Sequence, residues 1–150
     1  MRLVIQRVTR ASVSIGGKLY SSIGAGMMVL VGIETGDTAA EVEWIAGKAA
    51  ALRIFDDDAG VMNRSIVEAG GELLAVSQFT LTASTRKGNR PSYIRAARPE
   101  EAVPLYEMFC KLMEDRLGKE VKRGVFGADM QVELVNDGPV TIIIDSRLKE

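Results

Sequence analysis

From Arg2 to Ile15 the chain alternates apolar and polar residues, RLVIQRVTRASVSI. A period of two places one side of a strand against a core, and Gly16, Gly17 and Lys18 then supply a turn. MMVLVGIE, 27–34, is an apolar run of strand length. At Thr38 the period lengthens. Thr38 and Glu41 stand at capping-box spacing, and Val42, Ile45, Ala49 and Leu52 recur at helical intervals with a polar face opposite, which predicts a first helix. ELLAVSQFTL, 72–81, reads as a buried strand with a polar end, and TASTRKGNRPSY, 82–93, as a basic loop punctuated by glycine and proline. Pro99 suits a first helical turn and Glu100 and Glu101 suit the positive end of its dipole. Leu105, Phe109, Leu112, Met113 and Leu117 form an apolar stripe that Gly118 can end, and Pro104 lies close enough to the start to be tolerated. Near the C-terminus, QVELV and VTIII flank NDGPVT, Asn136 to Thr141, in the manner of a hairpin around an Asp-Gly turn. Pro139 then stands where a returning strand would offer an N–H. The expected fold is α+β: one domain over residues 1–150, a largely antiparallel, barrel-like sheet with two packed helices.

Composition narrows what such a domain can do. A chain of 150 residues with 47% hydrophobic residues can bury a core without disulfides or metal. No apolar run reaches the length of a membrane span, and the arginines within the first strand do not fit a secretory leader, so no membrane partner and a cytoplasmic location are expected. The single Cys110 lies in a helical stretch and reads as core. With 19 basic and 20 acidic residues there is no broad phosphate-gripping surface, so any nucleic-acid contact is local. The absence of histidine excludes Ser-His-Asp and Cys-His chemistry and removes the commonest metal ligand. Neither a metal nor another cofactor is expected.

Two polar clusters interrupt the core pattern. Ser77, Gln78 and Thr80 end an apolar strand together with Phe79, presenting hydroxyls, an amide and backbone N–H groups that could surround a polar ligand or a developing oxyanion. A strand fraying into a loop accounts for the same residues. The NDGP segment is the second cluster, and a proline-stiffened turn would explain it equally. Arg86, Lys87 and Arg90 are candidates for phosphate contacts or for a solvated basic loop. Asp56–Asp58 lack a calcium-loop pattern and read as a solvated turn. Met27, Met28, Met108 and Met113 read as core filling.

Taken in order, SQFTL (77–81) and NDGPVT (136–141), with RVTRASV near the start, KGNRPSY in the mid-chain loop and GVFGADMQVELVNDGPVT near the end, make the chain similar to the D-aminoacyl-tRNA deacylase family over essentially its whole length. That resemblance implies a homodimer acting on the acceptor end of aminoacyl-tRNA, hydrolysing the ester of a D-amino acid and returning free tRNA. It further implies a cis Gly138-Pro139 peptide, carried from one subunit into the other's site as a wall against L-amino acids. Arg7, and with it Asn136, would support that wall, although Arg7 also reads as a strand-surface charge; Phe126 would line the pocket, although an apolar-strand aromatic is more often core.

Enantiomers carry the same groups, so a clash with the wrong arrangement discriminates better than added attraction to the right one. Glycine lacks the atom such a wall rejects, so glycyl-tRNA is an expected substrate. With no base beside Thr80, activation of water by the ribose hydroxyl next to the ester is expected in place of a protein nucleophile. Backbone N–H groups of Phe79 and Thr80 would receive the oxyanion, and Ser77 and Gln78 would orient adenosine and ester. Two other readings remain: a dimeric module that binds RNA or a D-amino-acid metabolite without turnover, and an editing domain of synthetase type acting on an L-aminoacyl ester.

Overall fold

A computed structural model describes residues 1–150. The first two strands, β1 (Arg2–Ile15) and β2 (Lys18–Ile23), are joined by Gly16-Gly17, both with positive φ, as a two-residue hairpin turn requires. β3 (Gly26–Gly32) continues along the same edge of β1, so β2 and β3 together form the return arm of one long antiparallel hairpin. The helix α1 (Ala39–Ala51) starts where the period changed. Glu41 accepts hydrogen bonds from the N–H and hydroxyl of Thr38, and Val42, Ile45 and Ala49 are buried.

The segment from 55 to 69 folds into elements too short to show a period. These are β4 (Phe55–Asp56) paired with β5 (Met62–Arg64), and a one-turn helix, α2 (Ile66–Ala69), capped by Ser65 and Glu68. The helices therefore number three rather than the two expected. Asp57 does organise a turn, accepting from the N–H groups of Ala59 and Val61.

β6 (Glu72–Ser77) ends four residues earlier than the apolar run suggested, and α3 (Pro99–Leu117) follows the basic loop, closed by Gly118 at φ 66°. β6 runs parallel to β3, and the short β7 (Lys122–Arg123) runs parallel to β6. α1 lies on the crossover before β6 and α3 on the one after it, so the sheet is mixed although its longest pairings are antiparallel. The hydroxyl of Ser21 on β2 donates to the carbonyl of Arg123 on β7, drawing the far edges towards a nearly closed barrel.

β8 (Gln131–Asp145) corrects the expected C-terminal hairpin. Its two halves do not pair with each other. Both pair with β1: Gln131 to Asn136 opposite Ser14 to Val8, and Thr141 to Asp145 opposite Gln6 to Arg2. Residues 137–140 have only Arg7 across from them and leave the ladder as an extruded loop, within which the Gly138-Pro139 peptide is cis. Asp-Gly marks a local bend; what decided its kind is the partner strand, which lies 130 residues away in sequence.

The larger core packs the helix side of the sheet, with Leu3, Ile5, Met27, Val29 and Leu73 against Ile45, Phe109 and Met113. Val8, Val13, Met28, Leu74 and Val76 form a second cluster. Met27, Met28 and Met113 are buried, as read from sequence, and Met108 packs partly against the larger core. Cys110 is buried too, and burial pushes its thiol up to about 11. No helix is long and apolar enough to cross a membrane.

Candidate active site

The SQFT segment is shaped by the end of a parallel strand. Ser77 is the last residue of β6, opposite Val31, and the N–H of Gln78 donates to the Val31 carbonyl at 2.8 Å. The chain then winds into a single 3-10 turn, Phe79–Thr82, held by Leu81 N–H to the Gln78 carbonyl (3.3 Å) and the Thr82 hydroxyl to the Phe79 carbonyl (2.8 Å). Phe79 and Thr80 open this turn, so their N–H groups have no acceptor within it. Gly32 makes the turn's position possible: a Cβ there would stand 2.8 Å from the Cβ of Leu81 and 3.1 Å from the Gln78 carbonyl oxygen.

Ser77, Gln78 and Phe79 line one side of a cleft of about 280 Å³, and the stretch Phe126 to Met130 lines the other. Val31, Ile33, Val76, Ala97, Ala102 and Val132 complete a mostly apolar wall, and Asp129 is its single ionisable residue. Phe126 therefore borders the cleft while also packing against Tyr106, ring centroids 6.2 Å apart. Tyr106 donates to the Ala75 carbonyl at 2.9 Å, and its phenol is raised above the ordinary range, first by burial and then by Cys110. Thr80 sits one step back: its hydroxyl accepts from the Gln78 amide, and no carboxylate or amine is hydrogen-bonded to it. No group of three or more Cys, Asp and Glu side chains converges anywhere in the chain.

The second cluster stands apart. Arg7 is buried rather than a surface charge, 9% exposed, and its guanidinium reaches the extruded loop. Nε donates to the Asp137 carbonyl at 3.2 Å, and Nη1 donates to the Ile54 carbonyl at 2.7 Å and pairs with Asp56 at 3.2 Å. Asn136 donates from one amide nitrogen to the carbonyls of Arg7 and Val140, both at 2.9 Å, and so braces both ends of the loop. Gly138 has φ +125°, and a Cβ on it would meet Val140 Cγ2 at 2.9 Å and Arg7 Nη2 at 3.2 Å. Gly138 and Pro139 are exposed and do not border their own chain's cleft.

A larger, shallower depression of about 530 Å³ lies where β2 meets β7. Its charges satisfy one another, Lys122 with Glu120 and Arg123 with Glu114, and it holds none of the candidate residues. Sequence reasoning missed Asp129, the contact between Tyr93 and Phe79, and the role of Asp56 as a partner of Arg7. The glycine-flanked stretch around Phe126 was the one available signal for the far side of the cleft.

The family model described as D-Tyr-tRNA(Tyr) deacylase matches residues 4–145. A D-aminoacyl-tRNA deacylase of Bacteroides thetaiotaomicron is 62% identical over 150 residues, and one of Porphyromonas gingivalis is 63% identical, each covering 100% of both chains. Among solved structures, the c-Myc DNA Unwinding Element Binding Protein superposes with a TM-score of 0.91 at 43% identity, covering 97% of this chain and 98% of its own. A probable eukaryotic D-amino acid tRNA deacylase shares the fold, with a TM-score of 0.81 at 18% identity over 95% of this chain and 97% of its own.

Proposed function

This chain belongs to the D-Tyr-tRNA(Tyr) deacylase family, and from that premise we propose that it hydrolyses the ester between a D-amino acid and the terminal adenosine of tRNA, working as a homodimer in the cytoplasm. The observation that carries the reading is the SQFT turn, which offers the unengaged N–H of Phe79, with that of Thr80 next to it in the turn, beside a cleft whose only ionisable side chain is Asp129.

The chemistry follows from what the turn can supply. Water attacks the ester carbonyl carbon, the oxygen acquires negative charge, and the bond to the ribose oxygen breaks as that oxygen takes a proton. Oriented N–H donors stabilise the charge without rearranging during the reaction. The N–H of Phe79, joined by that of Thr80, receives the oxyanion, while Ser77 and Gln78 orient the adenosine and ester. The hydroxyl beside the ester on the ribose activates the water and relays its proton, because the Thr80 hydroxyl has a donor on it, Gln78, and no base to deprotonate it. Thr80→Ala is expected to slow single-turnover cleavage less than about tenfold, whereas a substrate lacking that ribose hydroxyl should lose on the order of a hundredfold or more. A thousandfold loss from Thr80→Ala, or an isolable acyl-enzyme, would make Thr80 the nucleophile.

Chiral selection is assigned to the extruded loop. Gly138 lets main chain approach the substrate closely and proline fixes its own φ, so the Cβ of an L-residue would meet atoms that do not yield. Since the loop does not border its own chain's cleft, the wall comes from the partner subunit. β8 pairs with β1 alone and leaves its other edge open, and Ile143 on it is 62% exposed, which supports pairing of two copies there. Glycine has no Cβ, so glycyl-tRNA is included among the substrates. One assay on D-tyrosyl-, L-tyrosyl- and glycyl-tRNA tests the whole reading: the first and third should be cleaved and the second spared. Equal cleavage of the mirror-image esters would sink the wall, and binding without cleavage would sink the deacylase.

A further inference from the structure

Beside the cleft lies a surface that this mechanism does not use. Between Leu73 and Pro99 the chain contains no Asp or Glu but five cations: Arg86, Lys87, Arg90, Arg95 and Arg98. None of the five forms an ion pair, although eight other Lys and Arg side chains do. In a chain of net charge −1 this is a local concentration of uncompensated positive charge. Its placement is fixed. Ser84 and Ser92 exchange N–H to carbonyl hydrogen bonds, both 2.9 Å, which close residues 85–91 into an exposed loop carrying Arg86, Lys87 and Arg90. Arg95 donates to the Thr82 carbonyl at 3.1 Å, tying the loop's base to the SQFT turn.

Immediately after that closure comes Tyr93, whose ring meets Phe79 edge to face with centroids 5.0 Å apart. Both rings are open to solvent, Phe79 at 56% and Tyr93 at 39%, at the rim of the cleft that Phe79 lines. Exposed aromatic faces next to unpaired cations are the combination that holds single-stranded nucleic acid, rings stacking on bases while cations follow phosphates. The loop is too small to track a duplex and of a size for a few nucleotides.

Building on the deacylase reading, we infer that Phe79, Tyr93 and the loop bearing Arg86, Lys87 and Arg90 seat the single-stranded 3′ end of the tRNA. The aromatic pair stacks a base neighbouring the terminal adenosine, and the three cations take the backbone phosphates leading away from it.

The probe is deacylated tRNA, intact or trimmed of its single-stranded 3′ end, titrated against the full chain over a range of salt. Replacing Arg86, Lys87 and Arg90 together with alanine should weaken intact tRNA about tenfold or more and flatten the log Kd against log salt slope by about 2, from about 0.7 per phosphate contact released. Tyr93→Ala should weaken intact tRNA about tenfold, the scale of one lost stacking partner, and make no difference to the trimmed tRNA. The inference is overturned if the triple variant keeps both affinity and slope, or if Tyr93→Ala weakens the two tRNAs equally. It is also overturned if Tyr93→Ala alters the sedimenting mass, since the rings would then belong to a contact between copies. A parent protein that binds tRNA with these dependences but cleaves no ester would remove the deacylase reading and keep the seat. Full cleavage of D-aminoacyl-tRNA by the triple variant, with an unaltered specificity constant, would do the reverse.

Discussion

Gly138 holds a position that no other residue can take unchanged. At φ +125°, with Val140 Cγ2 and Arg7 Nη2 already within 2.9 and 3.2 Å of where a Cβ would stand, Gly138→Ala must move either the loop or the arginine beneath it. Such a displacement costs about 1–3 kcal/mol locally. If the loop is the stereochemical wall, the ratio of D- to L-tyrosyl-tRNA cleavage should fall at least tenfold, read from single-turnover rates on both esters. Cys110 gives a contrasting case. Its thiol is fully buried and pushed up to about 11, first by loss of water, so at pH 8 iodoacetamide should label native protein at least about a hundredfold more slowly than urea-unfolded protein. Comparable rates would mean that the helix opens freely. At this scale the sequence was readable wherever a residue type conflicted with its surroundings, as with Ser, Gln and Thr ending an apolar strand. Tyr93 and Asp129 sit in turn and loop stretches where either residue type is ordinary, and only the folded chain shows what they face.

Among the elements, the parallel seam of β3 and β6 carries the reactive turn, and Gly32, the last residue of β3, is where that strand meets the turn. A methyl group at Gly32 would press on Leu81 Cβ at 2.8 Å and on the Gln78 carbonyl oxygen at 3.1 Å, pushing the 3-10 turn off the strand. Gly32→Ala is therefore expected to lower kcat on D-aminoacyl-tRNA by about a hundredfold, because displacements near 1 Å at a reacting centre have that effect. Its melting temperature should fall by only a few degrees, as for a loss of about 1 kcal/mol in a domain of this size. A variant with unaltered kcat would show that the turn is not held by this contact. Both long helices and the first hairpin were legible, since each repeats its period over several turns or residue pairs. The four-residue α2 and the two- and three-residue strands β4 and β5 are shorter than any period that could announce them. The extruded loop was misread for a different reason: Asp-Gly reports a dihedral preference, whereas the choice between reversal and bulge belongs to the pairing with β1.

The whole molecule joins its two ends and buries ionisable groups on both sides of that join, so its stability depends on pH in a defined direction. Asp145 is held below the usual carboxylate range; burial opposes this, but the Arg2 guanidinium at 2.7 Å and the Arg147 N–H outweigh it. A depressed acid stabilises the fold above its unfolded pKa, near 3.8, and that contribution disappears as pH falls through the lower folded value. Cys110 and Tyr106 shift the other way, both chiefly through burial. Their contribution is complete below the unfolded values, 9.0 for the thiol and 10.0 for the phenol, and is lost as pH rises through the folded ones. Thermal melting followed by circular dichroism should show a plateau around neutrality, an alkaline decline beginning near pH 9, and an acid decline below about pH 4 that Asp145→Asn makes shallower. An alkaline limb as flat as the plateau would contradict the burial of these two groups. Because β1 zips to β8 on either side of residues 137–140, the projection is clamped like a tent peg between two stretches of seam and not hung from a hinge. A load applied at its tip would spread into shear along both stretches, so a bound ester could deflect the tip only by starting to unzip the sheet that ties the chain's ends together.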